Sequence, residues 1–515
     1  MPFLKFTLKV VTTIVALLLL VLAVGAWWPI DPPVPEARPD RLVITGAIVV
    51  DVRRGQLLAG YDVLIEGGQI TAVGPGLPAT GATVIDGQGG YLVPGLFDMH
   101  VHSMEMSPVL THPLFIAAGV TAVRDMGGCL GDDDGWAACA PQKRDWHRAV
   151  GAGELVGPRY DQVTSLAING GGEVPKGYDR ALGAPDADGA RQRVAHDAAR
   201  GVDFLKPYNR LSREAYLALA ESAAQNGLYL AGHHPLAVPA VDVVAAGQRS
   251  IEHALLFAWS CYPGIDELRN TDDFRATYTN ALRDRMMAEH DEQRCANLHQ
   301  RMRQAGTAFV PTHTTRKMDA FAGDSQYRND PRLAYIPGPL RLLWNGDADN
   351  MLRRGNADGD NNFRAFYEFG LAQTGAAHRA GVTVLAGTDA PDSFVFPGLS
   401  MHDELAHLVQ AGLSPLDALR AATLEPARFL GLEGSAGEIT PGARADLVLL
   451  RENPLEDIQA IRAIDTVVLA GAPYSRERLD QLLAGVEDAA GSWTMWPKFT
   501  WQIMNSPVMK AQFGD

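Results

Sequence analysis

Pro94-Gly95-Leu96-Phe97-Asp98-Met99-His100-Val101-His102 is the stretch on which the reading of this 515-residue chain turns. A proline and a glycine open an apolar run of strand length, and the run closes on two histidines one residue apart. Residues two apart on a strand point to the same side, so His100 and His102 reach one point in space. Two imidazoles at the end of a strand are a natural start for a zinc-type site. Alone, a His-x-His is a weak signal, and the sequence around it has to supply the rest.

Outward from that stretch, between Pro94 and about Leu432, apolar runs alternate with helical stretches, the pattern of a parallel sheet with crossover helices. Eight strands are expected, ending near His102, Asp125, Ile168, Lys206, His233, His253, Thr312 and Asp389. Ser414-Pro415-Leu416-Asp417 supplies a helix start, with a capping serine, a proline at the first helical position and an acid in the first turn. Eight such units in about 340 residues fit a (β/α)₈ TIM-type barrel with long loops, whose strand ends converge on one face. Lys206, His233, His253 and Asp389 each close a different predicted strand. Taken singly they have dull explanations: a structural histidine, a helix-capping aspartate, a lysine reaching for water. Together with His100 and His102, in barrel order, they read as a site. The insertions Gly128–Gly157, Tyr262–Arg301 and Arg316–Asn361 are expected over or beside the barrel mouth.

The flanks read differently. Residues 41–93 and 435–475 hold short β-branched runs broken by glycines, among them Leu42-Val43-Ile44 and Asp446-Leu447-Val448-Leu449-Leu450. One small β-sandwich domain built from both chain ends, with the 94–434 barrel inserted, accounts for them. Residues 1–28 carry Lys5 and Lys9 ahead of the uncharged run Val10–Trp28, expected as an apolar helix that anchors the chain in a membrane or serves as a signal segment. Prolines 29, 32, 33, 35 and 39 make residues 29–40 a stiff linker. The tail, 476–515, starts as a helix and ends among Trp493, Trp496, Phe499 and Trp501, which pack on the barrel or mark a membrane or subunit contact.

Composition narrows the function. With 47% hydrophobic and 20% charged residues the chain is globular, and its net charge of −15 with no Lys/Arg-rich run argues against a nucleic-acid partner. Either reading of the first 28 residues exports the body, to the periplasmic or extracellular face. Four cysteines in an exported chain suggest disulfides in one of three pairings, Cys129–Cys139 with Cys261–Cys295 being the local one. No Cys-x-x-Cys occurs, so a thiolate zinc site is not expected.

The sequence resembles the amidohydrolase superfamily, in its imidazolonepropionase-like and Xaa-Pro dipeptidase-like branch, over about residues 41–475. The resemblance is carried by the opening motif, by Gly119-Val120-Thr121-Ala122-Val123-Arg124-Asp125 and by Gly247-Gln248-Arg249-Ser250-Ile251-Glu252-His253. Toward the end it continues in Ala386-Gly387-Thr388-Asp389-Ala390, Ala421-Ala422-Thr423-Leu424-Glu425-Pro426-Ala427 and Gly437-Glu438-Ile439-Thr440-Pro441-Gly442-Ala443-Arg444-Ala445-Asp446-Leu447. It implies two divalent metal ions, zinc by ligand type. His100, His102 and Asp389 would hold one, His233 and His253 the other, and a carbamate on Lys206 would bridge them. Asp389 would also carry the proton to the leaving nitrogen. His234, the neighbour of His233, should point away. Tyr208 resembles a tyrosine that touches substrate in related dipeptidases, with a buried wall as the alternative. His313 either contacts substrate or is structural. The implied reaction is hydrolysis of a small amide, such as a dipeptide or an N-acyl amino acid. The alternatives are a one-metal cyclic-amide hydrolase or deaminase, and a non-catalytic exported binding protein. Oligomeric state is open.

Overall fold

The computed structural model describes residues 12–13, 16–17, 20–129, 134–170, 183–269 and 278–506. In chain order the strands are β1 (Arg41–Thr45), β2 (Ile48–Asp51), β3 (Gln56–Ala59), β4 (Asp62–Glu66), β5 (Gln69–Gly74), β6 (Thr83–Asp86) and β7 (Tyr91–Pro94). There follow β8 (Leu96–Val101), β9 (Val120–Asp125), β10 (Arg159–Val163), β11 (Phe204–Leu205), β12 (Tyr229–Gly232), β13 (Ser250–Glu252) and β14 (Ala308–Val310). The last three are β15 (Leu447–Leu450), β16 (Ile464–Leu469) and β17 (Ala472–Ser475).

Both chain ends build the smaller unit. One sheet runs β5-β4-β1-β6, the other β17-β16-β15-β7-β2-β3, so β15 from near the C-terminus lies antiparallel to β7, with Leu447 opposite Pro94. Leu42, Ile44, Val49, Val63, Leu92, Leu447 and Leu449 form its apolar core. The motif Ala443-Arg444-Ala445-Asp446 fastens this unit to the larger one. The Arg444 guanidinium grips both oxygens of Asp161 at 2.8 and 2.7 Å, and Asp446 accepts from Arg159 at 2.7 Å. Such two-pronged pairs fix orientation as well as adding energy.

The larger unit is α/β with parallel strands. One sheet runs β10-β9-β8, the other β11-β12-β13-β14. Parallel bridges Thr164–Phe204 and Ile168–Pro207 join β10 to β11. On the other side residues 384–390 lie between β14 and β8: Leu385 N donates to Phe309 O (2.9 Å), Met99 N to Ala386 O (3.0 Å) and His102 N to Ala390 O (2.7 Å). Two of the expected strands are irregular toward their ends. The third strand is regular only to Val163, where Asp203 takes the Val163 amide at 2.7 Å, and it reaches its expected end near Ile168 through the isolated bridges Thr164–Phe204 and Ile168–Pro207. The run to Asp389 bonds to both neighbours but is no regular strand, since Asp389 adopts φ +70° and leaves the extended path. Gly387 is required there: a Cβ would stand 2.7 Å from Val310 and 3.0 Å from His100. The helix Pro415–Ala421 starts as its sequence predicts, with Ser414 Oγ accepting the Asp417 amide at 3.1 Å.

The apolar N-terminal stretch 10–28 lies partly outside the described residues; residues 20–27 are helical. The membrane-crossing helix expected there is not found, since among the described residues no helix is long and apolar enough to cross a membrane. The helix described there ends at Trp27, ahead of the proline-rich 29–40 linker, which cannot continue it. Both sequence-local disulfides are formed, Cys129–Cys139 and Cys261–Cys295.

Candidate metal centre

All six predicted ligands meet at one end of the parallel strands. His100 lies on β8 and His102 follows it, Lys206 follows β11, His233 follows β12, His253 follows β13, and Asp389 ends the 384–389 run. Asp389 Oδ1 lies 3.2 Å from His100 Nε2 and 3.0 Å from His102 Nε2, and its Oδ2 lies 3.7 Å from His253 Nδ1. His253 Nε2 is 3.0 Å from His233 Nε2, and Lys206 Nζ is 3.3 Å from His102 Nε2. Ligand atoms of His100, His253 and Asp389 fall within 4.8 Å of one another. Cys261, His290 and Cys295 also cluster, but the two sulfurs are bonded to each other.

The backbone is bent to make this possible. His253 (φ +73°), Thr312 (φ +45°) and Asp389 (φ +70°) all sit in the left-handed region that non-glycine residues avoid. Three such residues at successive strand ends mark a place where function has been built against local preference.

The surroundings decide which nitrogens carry protons. His100 Nδ1 donates to Glu252 at 3.0 Å, and Glu252 is in turn held by Arg124 at 2.8 Å. His233 Nδ1 donates to Asn209 Oδ1 at 2.8 Å. Each Nε2 therefore faces inward: that of His100 meets the Asp389 carboxylate, which against burial raises the His100 imidazole above its ordinary value, and that of His233 meets His253. Four imidazoles and a carboxylate converging on one place are a donor set that a divalent metal takes, so the residues present fit one. Burial drives the His253 imidazole down to about 3, and burial with the nearby Lys206 ammonium drives His102 to about 4, which keeps both neutral and able to ligate. Burial alone would raise the Asp389 carboxyl, but His100 and His102 hold it well below the ordinary range. Burial also depresses the Lys206 ammonium. Against burial, Arg124 and His100 hold Glu252 down to about 2.

A cleft of about 800 Å³ opens above these residues, lined in part by Trp136, Tyr208, Leu236, Trp259, Tyr278 and Arg316. Tyr208 is in this wall, its ring centroid 4.1 Å from that of His233. His234 is engaged elsewhere, against Val238 O at 2.6 Å. His313 does not line the cleft: it is fully buried, with Nε2 2.9 Å from Thr374 Oγ1 and its amide on Glu404. The left-handed turn at Thr312 swings His313 into the core, and Thr312 itself takes the position beside the site, its hydroxyl 2.8 Å from His253 Nδ1. Of the loops expected over the mouth, the described parts contribute Trp136, Tyr278 and Arg316 to the wall.

Sequence reasoning passed over Glu252, Arg124, Asn209 and Thr312. Asp98 was missed too, although it binds the Thr388 amide and hydroxyl (2.9 and 2.6 Å) and so ties the two halves of the site together. Asp98, Arg124 and Glu252 lie inside the quoted motifs, and a buried charge within such a motif was the available signal.

Residues 368–473 match the amidohydrolase family. Adenine deaminase 3 of Rhizobium meliloti (strain 1021) is 23% identical over 419 residues, 80% of this chain and 55% of that protein. The chain thus spans about half the length of the curated relatives that it matches along most of its sequence. Among solved structures, a bottromycin amidohydrolase superposes with TM-score 0.68 at 24% identity, covering 88% of this chain and 91% of that one. A Xaa-Pro dipeptidase with methionine bound in its active site gives 0.57 at 20% identity, covering 84% and 100%. At these identities the structural likeness speaks to the fold.

Proposed function

We propose that this member of the amidohydrolase superfamily is a metal-dependent hydrolase that cleaves the C–N bond of a small amide, a dipeptide or an N-acyl amino acid. The observation that carries the reading is the convergence of the His100, His102, His233 and His253 ring nitrogens with the Asp389 carboxylate and Lys206 at one end of the parallel strands. The backbone pairings of residues 384–390 with β8 and β14 support reading the two parallel sheets as one closed (β/α)₈ barrel, with the site at its C-terminal mouth.

His100, His102 and Asp389 would hold one divalent ion, His233 and His253 a second, with zinc the natural choice for this donor set. Two such ions would supply a water acidified toward neutral pH and a Lewis-acid pull on the carbonyl oxygen. Lys206 would bridge them as a carbamate. Its burial favours the neutral amine, whose nitrogen adds to CO₂ and releases one proton, leaving an anionic two-oxygen ligand. Asp389 accepts the proton of the attacking water and delivers it to the departing nitrogen. Tyr208, its ring tilted against that of His233, would touch the substrate carbonyl or carboxylate. The two disulfides suit an oxidising compartment, in keeping with an exported chain.

A second reading, deamination or cyclic-amide hydrolysis with one metal, is favoured by the adenine deaminases among the relatives. Elemental analysis and product assay decide. Two metals per chain, loss of activity on chelation and amine release from dipeptides or N-acyl amino acids support the first reading. One metal with ammonia released from a purine or cyclic amide supports the second, and full activity of the metal-free chain defeats both.

A further inference from the structure

The outer face of the C-terminal helix remains unexplained by the catalytic reading. The helix Met495–Asn505 buries Met495, Pro497 and Phe499 and turns Trp496 (52% exposed), Trp501 (47%) and Met504 (62%) outward, next to Trp493 (54%). Against it lies the helical end of the N-terminal apolar stretch, which adds Trp27 (64%) and Trp28 (56%). The contact is specific. A Cβ on Gly25 would lie 2.6 Å from Pro497 and 2.7 Å from Trp493, so only glycine admits so close an approach. Lys498 Nζ donates to Ala26 O at 3.0 Å, and the Trp27 and Trp501 ring centroids are 4.8 Å apart. The one charge on the Met495–Asn505 helix is thus turned inward as a cap on the other helix's last carbonyls.

We propose that this composite face is a membrane-docking surface, which lies in the headgroup region of a bilayer without crossing it. Five of the chain's nine tryptophans are on it, namely 27, 28, 493, 496 and 501. Tryptophan, with an apolar body and one polar N–H, concentrates where lipid meets water. Continuity supplies the second argument: the face runs directly into the uncharged stretch from residue 10, whose Leu17, Leu20, Val21 and Leu22 are about half exposed. Helices that lie in the interface need one apolar face and no spanning length, in keeping with the absence of a spanning helix among the described residues. Beneath the face, Phe499 meets Trp136 edge-on at 5.5 Å, and Trp136 lines the catalytic cleft. Docking therefore sets one wall of the cleft a single ring away from the lipid-facing helix.

The test uses the full chain and mixed phosphatidylcholine–phosphatidylglycerol vesicles whose acyl chains are brominated near the headgroup. The bromines are expected to quench the tryptophan fluorescence of the unaltered chain several-fold more than that of a variant with Trp27, Trp28, Trp493, Trp496 and Trp501 all changed to phenylalanine. Trp496→Asp with Trp501→Asp is expected to lower vesicle binding several-fold with an unchanged circular dichroism spectrum. Equal quenching in the five-fold phenylalanine variant overturns the proposal even if the aspartate variant fails to fold. So does vesicle binding without quenching, or a stable dimer that shields the tryptophans from the bromines. None of these outcomes depends on hydrolysis, so this inference and the catalytic reading fail separately.

Discussion

At the level of single residues, the site divides into groups that face the substrate and groups that aim them. On the proposed reading Asp389→Asn removes the proton carrier but keeps the shape, and should lower turnover by about 10²–10⁴-fold with unchanged circular dichroism. Steady-state kinetics beside a folding check decides it. Lys206→Ala should lose bound metal and activity together, and short carboxylic acids added to the buffer should restore part of both. Metal content without rescue would argue against a carbamate. Glu252 is a positioning residue: it orders His100 and neutralises the fully buried Arg124. Glu252→Leu would strand that guanidinium and should cost about 3–5 kcal/mol in denaturant unfolding. The six residues that meet at the candidate centre were legible because each ends an apolar run at a predictable place. Glu252 was not, because strand alternation would send it away from its neighbour His253, and only the reversed φ at His253 lets both side chains serve one site.

At the level of elements, close approach between strands is encoded in glycine, and long connections are held by cross-links. Gly387→Ala places a methyl group against Val310 and His100 and should destabilise by about 1–3 kcal/mol. Because His100 is one of the groups displaced, metal affinity measured by competition with a chelator should fall in the same variant. The Cys261–Cys295 bridge closes a connection of 34 residues. Its removal by paired serine substitution should lower stability by about 2–4 kcal/mol, read as a shift in the urea midpoint. Both pairings were among those open from sequence spacing, whereas the aim of His313 was not legible. A residue after a strand end faces the site or the core according to one backbone turn, and Thr312 makes that turn.

For the whole molecule, burial of neutral histidines sets an acid limit. Burial depresses His112 to about 3 and His234, His313 and His402 to about 4, against about 6.5 in an unfolded chain. Between these values the unfolded state binds more protons than the folded one, so stability falls as pH drops. The full contribution is present above about pH 6.5 and is lost progressively toward about pH 4, at up to about 1.4 kcal/mol per pH unit for each histidine. Urea midpoints measured from pH 8 to 4 should be flat at first and then decline. A flat profile throughout would show that these rings are not held neutral.

By itself the sequence determined the alternation of strands and helices, the apolar cores, the ligand types and the pairing of the two chain ends, because period and spacing are local properties of a chain. Tertiary structure alone decided which nitrogen of each imidazole faces inward, since that depends on Glu252 and Asn209 brought from elsewhere. It also decided that Arg444 and Asp446 serve as a clamp between the two units. The end of the N-terminal apolar stretch likewise found its place against the C-terminal helix only there, because one glycine and one buried lysine make a contact that no spacing along the chain can express.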